Sequence, residues 1–254
     1  MYIIIHMKKI TLLLFLFLFT WTTGFSQDNT RISELLGEAD NLIAVNKLPE
    51  ALSKTEEALT ISGINKRARQ YRINIYYLMQ NNKEALRYAD EAIKKDPQDP
   101  DFLYLRGIIN NSIGRYGKAL DDFTIALESA GNEDLYKLYL NRGVAYHNLL
   151  EYETSMADFT QSIELNDTVA SAYHGRAMLN YELKDYPAAI IDFNKVMELG
   201  QENAVIYFNL GMSYFRLEEK NKACPYFQKS CTMGNKNACR MSLMECVKNI
   251  PKVP

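Results

Sequence analysis

Histidine is scarce in this 254-residue chain, and the scarcity removes much catalytic and metal chemistry. His6, His147 and His174 are the only three, and no two stand at the helical spacing of a metal-binding pair. There is no glycine-rich phosphate loop and no Gly-x-Ser-x-Gly elbow, so neither nucleotide cradling nor serine hydrolysis has its usual carrier. A charge of one sign is missing too. The formal net charge is −2, which gives no basic field for a nucleic-acid backbone. Glycine and proline are few, at 12 and 7, while 47% of residues are hydrophobic, so the chain can build a core and is not disordered. The residues read as non-catalytic, with no cofactor and no metal.

One long hydrophobic run is present. Ile10 to Trp21 follows the positive Met7-Lys8-Lys9 and is closed by Thr22, Thr23 and Gly24. That is shorter than the roughly 20 apolar residues a membrane-spanning helix takes, and it has the order of a signal peptide. Small residues around Gly24-Phe25-Ser26 would admit cleavage, making 1–26 the leader and Gln27 the first mature residue. An uncleaved anchor reaching back through Tyr2 to Ile5 competes with this, but would bury His6, Lys8 and Lys9 in lipid. No cysteine lies near the cleavage site, which excludes lipoprotein modification there. The expectation is an exported chain, periplasmic or secreted in a bacterial envelope, without a stable membrane span after cleavage.

The remainder repeats itself. Ala39, Ile73, Gly107, Gly143, Ala177 and Gly211 fall at steps of 34, with a single step of 36 after Gly107. A second small position keeps the same schedule at Ala51, Ala85, Ala119, Ser155, Ala189 and Ala223. Four residues further on stand Thr55, Ala89, Phe123, Phe159, Phe193 and Phe227. Another small residue usually follows, as at Ala58, Ala92, Ala126, Ser162 and Ser230, with Val196 as the exception. Antiparallel helices approach closely only where one presents Gly or Ala, and an aromatic beside that contact fills the remaining space. Asp121-Asp122, Asp158 and Asp192 recur at the same period on second helices and read as a solvated outer face.

This period and pattern resemble the tetratricopeptide repeat, over about residues 32–237. The first two units lack the second-helix aromatic, the terminal proline survives only as Pro97, and Ser155 and Ser162 replace Ala. The resemblance implies an all-α, right-handed α-solenoid of six helical hairpins plus a C-terminal capping helix. Its units would be about 32–65, 66–99, 100–133, 136–169, 170–203 and 204–237 within a solenoid of 27–250, with the cap about 238–249 and a tail at 251–254. Two extra residues near Asn132 to Leu135 should lengthen one inter-unit turn.

The four cysteines, Cys224, Cys231, Cys239 and Cys246, are confined to the end. In an exported chain an even count suggests disulfides. Cys231 and Cys239 flank the turn at Met233-Gly234-Asn235, and Cys224 and Cys246 lie two helical turns further out, so 231 with 239 and 224 with 246 is a nested solution. Other cross-pairings stay open. Pairs seven apart on one helix are too distant to bridge. The segment also resembles cysteine-bearing Sel1-like repeats, and that resemblance favours 231 with 239. A four-thiolate zinc site is the competitor, without a close Cys-x-x-Cys pair to support it.

For function, the tetratricopeptide resemblance implies a concave groove lined by first helices. It would contain Asn74 and Tyr77 from the second unit and Tyr104, Ile108 and Asn111 from the third. Val144 and His147 would come from the fourth, His174, Met178 and Tyr181 from the fifth, and Phe208, Met212 and Phe215 from the last. His147 and His174 could approach each other, in a pH-responsive or hydrogen-bonding role, since no third metal ligand accompanies them. The Lys, Asn and Arg clamp that some relatives use on a terminal carboxylate is absent. The expectation is a scaffold for a protein or peptide partner; the alternative is a structural subunit of a cell-envelope complex that docks by its outer surface.

Overall fold

The computed structural model describes residues 27–129, 131 and 134–246. The expected leader and the tail lie outside these residues, and so does part of the stretch expected to lengthen one turn. Every described element is helical. α1 spans 27–44. It is followed by α2 (Leu48–Ile61), α3 (Lys66–Leu78), α4 (Asn82–Ile93), α5 (Pro100–Ser112), α6 (Tyr116–Ser129) and α7 (Leu135–Asn148). Then come α8 (Tyr152–Leu165), α9 (Ala170–Glu182), α10 (Tyr186–Glu198), α11 (Ala204–Arg216), α12 (Lys220–Thr232) and α13 (Lys236–Met241). The fold is all-α, built of consecutive helical hairpins. Where the capping helix is expected, about 238–249, the six-residue α13 passes into a π-helical segment at Ser242–Cys246, and 247–249 lie outside the described residues.

The turn inside each hairpin follows from one backbone choice made six times. Asn46, Gln80, Gly114, Leu150, Lys184 and Glu218 all adopt positive φ, between 57° and 75°, on the schedule of the small residues. In each case that residue's N–H donates to the carbonyl three back, as from Leu150 to His147 at 3.0 Å. The next N–H reaches five back, as from Glu151 to Tyr146 at 3.0 Å. This left-handed stop satisfies carbonyls that the helix end leaves open. Asn81 and Asp185 then cap the following helices, their side-chain oxygens accepting from Glu84 N and Ala188 N.

The described chain divides into two compact units, one up to Ile109 and one from Asn110. In the first, Ile32, Leu35 and Leu36 of α1 pack with Ala58 and Ala68, and Ala39, Ala51 and Ile75 form an adjoining cluster. In the second, α7 packs on α8, α9 on α10 and α11 on α12. The register read from the sequence holds in both. Ala51, Ala85, Ala119, Ser155, Ala189 and Ala223 are all buried, and Phe123, Phe159, Phe193 and Phe227 are at most 1% exposed. A Cβ placed on Gly143 would stand 3.1 Å from the Phe159 ring, and one on Gly211 would stand 2.7 Å from that of Phe227. The helices therefore cross where one has no side chain to interpose.

The aspartates correct the sequence reading. Asp122, Asp158 and Asp192 are 2–5% exposed and belong to the interior, not to a solvated face. Arg142 grips Asp158 with two hydrogen bonds of 2.7 and 2.8 Å, and Arg176 grips Asp192 with two of 2.8 Å. In each hairpin the arginine precedes the glycine or alanine of the crossing, and the aspartate precedes the phenylalanine. Asp122 accepts from Asn110 Nδ2 at 3.3 Å. In the first unit the same register pairs Lys54 with Glu38 at 2.9 Å and lays Arg72 over the Tyr88 ring, 3.7 Å from its centroid. Buried charge is tolerated here because its partner is bidentate and fixed.

The chain's end is stapled. Cys231 bonds Cys239 with Cα atoms 4.6 Å apart, and Cys224 bonds Cys246 with Cα atoms 5.6 Å apart. Ala238 is the one buried residue of α13, and no residue of 242–246 is buried, so the bridges hold what little packing would release.

The crossing makes a quantitative prediction. Gly211→Val should lower stability by about 1–3 kcal/mol through overpacking against Phe227. Adding Phe227→Leu should recover part of that loss, read as coupling in a urea-denaturation double-mutant cycle. Additive losses would show that the two residues do not share the contact.

Candidate functional site

First helices bury one stripe and leave another half-buried beside it. In the first unit Asn74 and Tyr77 of α3, with Tyr104 and Ile108 of α5, are half-buried. In the second unit Asn111, Val144, His147, His174, Met178 and Tyr181 are half-buried, and so are Phe208, Met212 and Phe215. None of the thirteen belongs to the core and none is fully exposed.

Within the second unit several of these side chains bridge neighbouring first helices. Asn111 Nδ2 donates to the Asn141 carbonyl at 2.9 Å. His147 Nε2 lies 3.0 Å from Glu182 Oε2. Asn209 Nδ2 donates to Met178 Sδ at 3.3 Å, and Arg216 Nε to the Tyr181 hydroxyl at 3.4 Å. The first unit has a similar bridge, in which the Tyr71 hydroxyl donates to Asp40 at 2.6 Å. Such bridges fix the spacing of consecutive helices and so pre-organise the faces between them. Aromatic contacts add to this. Tyr181 meets Tyr186 edge-on at 5.4 Å, and Phe208 and Phe215 both lean on Phe227, at 6.1 and 6.3 Å.

The structure gives the two histidines separate surroundings. His147 is paired with Glu182, whereas His174 rests against Phe193 with ring centroids 6.1 Å apart. Burial pushes the His174 imidazole below its ordinary pKa. Sequence reasoning missed Glu182 and Arg216. Each follows a residue of the face and reaches back 35 positions to the preceding first helix, so complementary chemistry at that spacing was the available signal.

Among the described residues no three of His, Cys, Asp and Glu are grouped to hold a metal ion. No described helix is long and apolar enough to cross a membrane. What the faces offer chemically is aromatic, thioether and amide contact area, the currency of peptide recognition.

Lowering the pH should test the burial of His174. Its folded pKa lies below the unfolded value of about 6.5, so the neutral ring's contribution is complete above that value and is lost as pH falls toward the folded pKa. His174→Gln should flatten the fall in urea midpoint between about pH 7 and about pH 5 relative to the parent. Equal slopes in the two proteins would contradict it.

Comparison with known proteins places these hairpins. Two tetratricopeptide-repeat family profiles match the chain, one over residues 72–134 and the other over 136–168 and 204–233. Tetratricopeptide repeat protein 13 of Homo sapiens is 30% identical over 147 residues, which are 56% of this chain. The chain spans only 17% of the length of that relative. Among solved structures, a tetratricopeptide repeat protein from Parabacteroides merdae is similar with a TM-score of 0.61 and 25% identity, covering 84% of this chain and 82% of that one. PilW, described as a type IV pilus biogenesis factor, gives a TM-score of 0.75 at 17% identity, covering 84% and 98%.

Proposed function

We propose that this run of tetratricopeptide repeats is an extracytoplasmic scaffold that holds a peptide or a segment of a protein along its first helices. The observation that carries the reading is in the second unit. Tyr181, Phe208, Met212 and Phe215 are apolar or aromatic, half-exposed, and mounted on helices whose spacing is locked by side-chain bridges. Large side chains held in place supply contact area at low entropic cost. The concave shape assigned to this face comes from the family resemblance. Export is supported by the reading of 1–26 as a leader and by two disulfide bridges, which persist in oxidising compartments. No catalytic constellation accompanies the face, and the protein acts by binding.

A second reading has its own observation. Ile191 on α10 is 69% exposed, and Ile125 on α6 and Leu165 on α8 are also open, so the second helices carry apolar side chains outward. Docking by that surface onto an envelope assembly would suit them, and the neighbour described as a pilus biogenesis factor suits such a role.

Replacing Tyr181 and Phe208 together with Ala separates the two. On the groove reading, capture of partners from envelope extracts is lost while the circular dichroism of the helices is retained. Undiminished capture, abolished instead by Ile191→Asp, would transfer the function to the outer surface.

A further inference from the structure

A cavity of about 840 Å³ opens between α9, α10 and α11, wholly within the second unit. Its floor belongs to the core, with Val196 and Ile206 only 2% and 3% exposed. Val169, Leu199 and Val205 line it further, and Val205 is 53% exposed at the rim. Two successive inter-hairpin turns contribute, Thr168 from the first and Gln201 and Asn203 from the second. Gln201 holds the register place that Pro97 fills earlier in the chain. The volume falls in the range of sites that enclose a ligand group, about 300–1,000 Å³.

Charge decides what fits. No Lys, Arg, Asp or Glu lines the cavity. The Asn203 side-chain oxygen is committed to capping α11, accepting from Val205 N and Ile206 N at 2.9 and 3.1 Å. His174 presents its ring to the cavity, and its Nε2 is buried without a partner. Several charged groups near the cavity are already engaged elsewhere. Lys137 is paired with Asp134, Arg142 with Asp158 and Arg176 with Asp192, while Glu202, between the lining residues Gln201 and Asn203, accepts from the Tyr207 hydroxyl at 2.7 Å. Arg216 bonds the Tyr181 hydroxyl at the far end of α11. A charged side chain entering the cavity would lose its hydration and meet no opposite charge, which is costly. An apolar one would exchange water for Val196, Ile206 and Val205.

We infer that this cavity anchors an uncharged apolar side chain, of the leucine or phenylalanine kind, from a peptide segment lying on the first helices of the second unit. The inference rests on the groove reading and names the chemistry of one anchor within it. Recognition here is by burial of apolar area, so a terminal carboxylate or an acidic side chain has no place in it.

The test uses the full chain and a short peptide blocked at both ends, carrying Leu or Phe between Ser and Gly, alongside versions with Asp or Lys in place of the apolar residue. Methyl spectra should show shifts at Val169, Leu199, Val205 and Ile206 with the apolar peptide alone. Its affinity should change less than about twofold between about 0.05 and about 0.5 M salt. Val205→Asp, a change at an exposed rim position that should leave the fold intact, should weaken binding by about tenfold or more. Preferential binding of the Asp or Lys peptide, or a steep fall with salt, would overturn the inference. If the aromatic-ring signals of Tyr181 and Phe215, recorded alongside, respond while the four cavity methyls do not, the groove reading stands and the anchor fails; if neither set responds, both fail.

Discussion

The close crossing of two helices at a residue with little or no side chain is the constraint on which the remaining structure depends. Gly143 lies against the Phe159 ring and Gly211 against that of Phe227. At such a distance these two hairpins each have one possible register. The register then fixes which carbonyls the left-handed turn must satisfy. It also brings Arg142 within two hydrogen bonds of Asp158 and Arg176 within two of Asp192. Those pairs sit beside the crossing and add direction to a contact that apolar packing alone leaves free to slide.

On the proposed groove reading, the same constraint decides what is left for binding. Beside the glycine or alanine of the crossing, a first helix keeps a stripe that is only half-buried. In the second unit that stripe carries Val144, Met178, Tyr181, Met212 and Phe215, all half-buried. Function on this account is a by-product of packing made specific by side-chain choice. The disulfides at Cys224–Cys246 and Cys231–Cys239 tie α13 and the segment after it to α12, where little packing holds them.

Much of the fold was legible because its determinants are identities at a fixed period. Six small residues and four phenylalanines on one schedule define the crossings, and each proved buried. The aspartates were misread because a period alone does not distinguish a solvated stripe from a paired one. The arginine sixteen positions upstream held the answer for Asp158 and Asp192. The left-handed turns were hidden for another reason: Asn46, Gln80, Leu150, Lys184 and Glu218 hold positive φ without being glycine. There the two carbonyls satisfied at the helix end outweigh the local preference of the residue. The bridging partners Glu182 and Arg216 were equally hidden, since each acts on the preceding hairpin and not on its own.

Native-state hydrogen exchange tests the primacy of the crossing most directly. The slowest amides of the second unit should be those around Gly143, Ala177 and Gly211 and around Phe159, Phe193 and Phe227. Those of Ser242–Cys246 should exchange through local opening despite their bridge. Protection that peaked in the stapled end or in the turns, with the crossings exchanging early, would contradict the account.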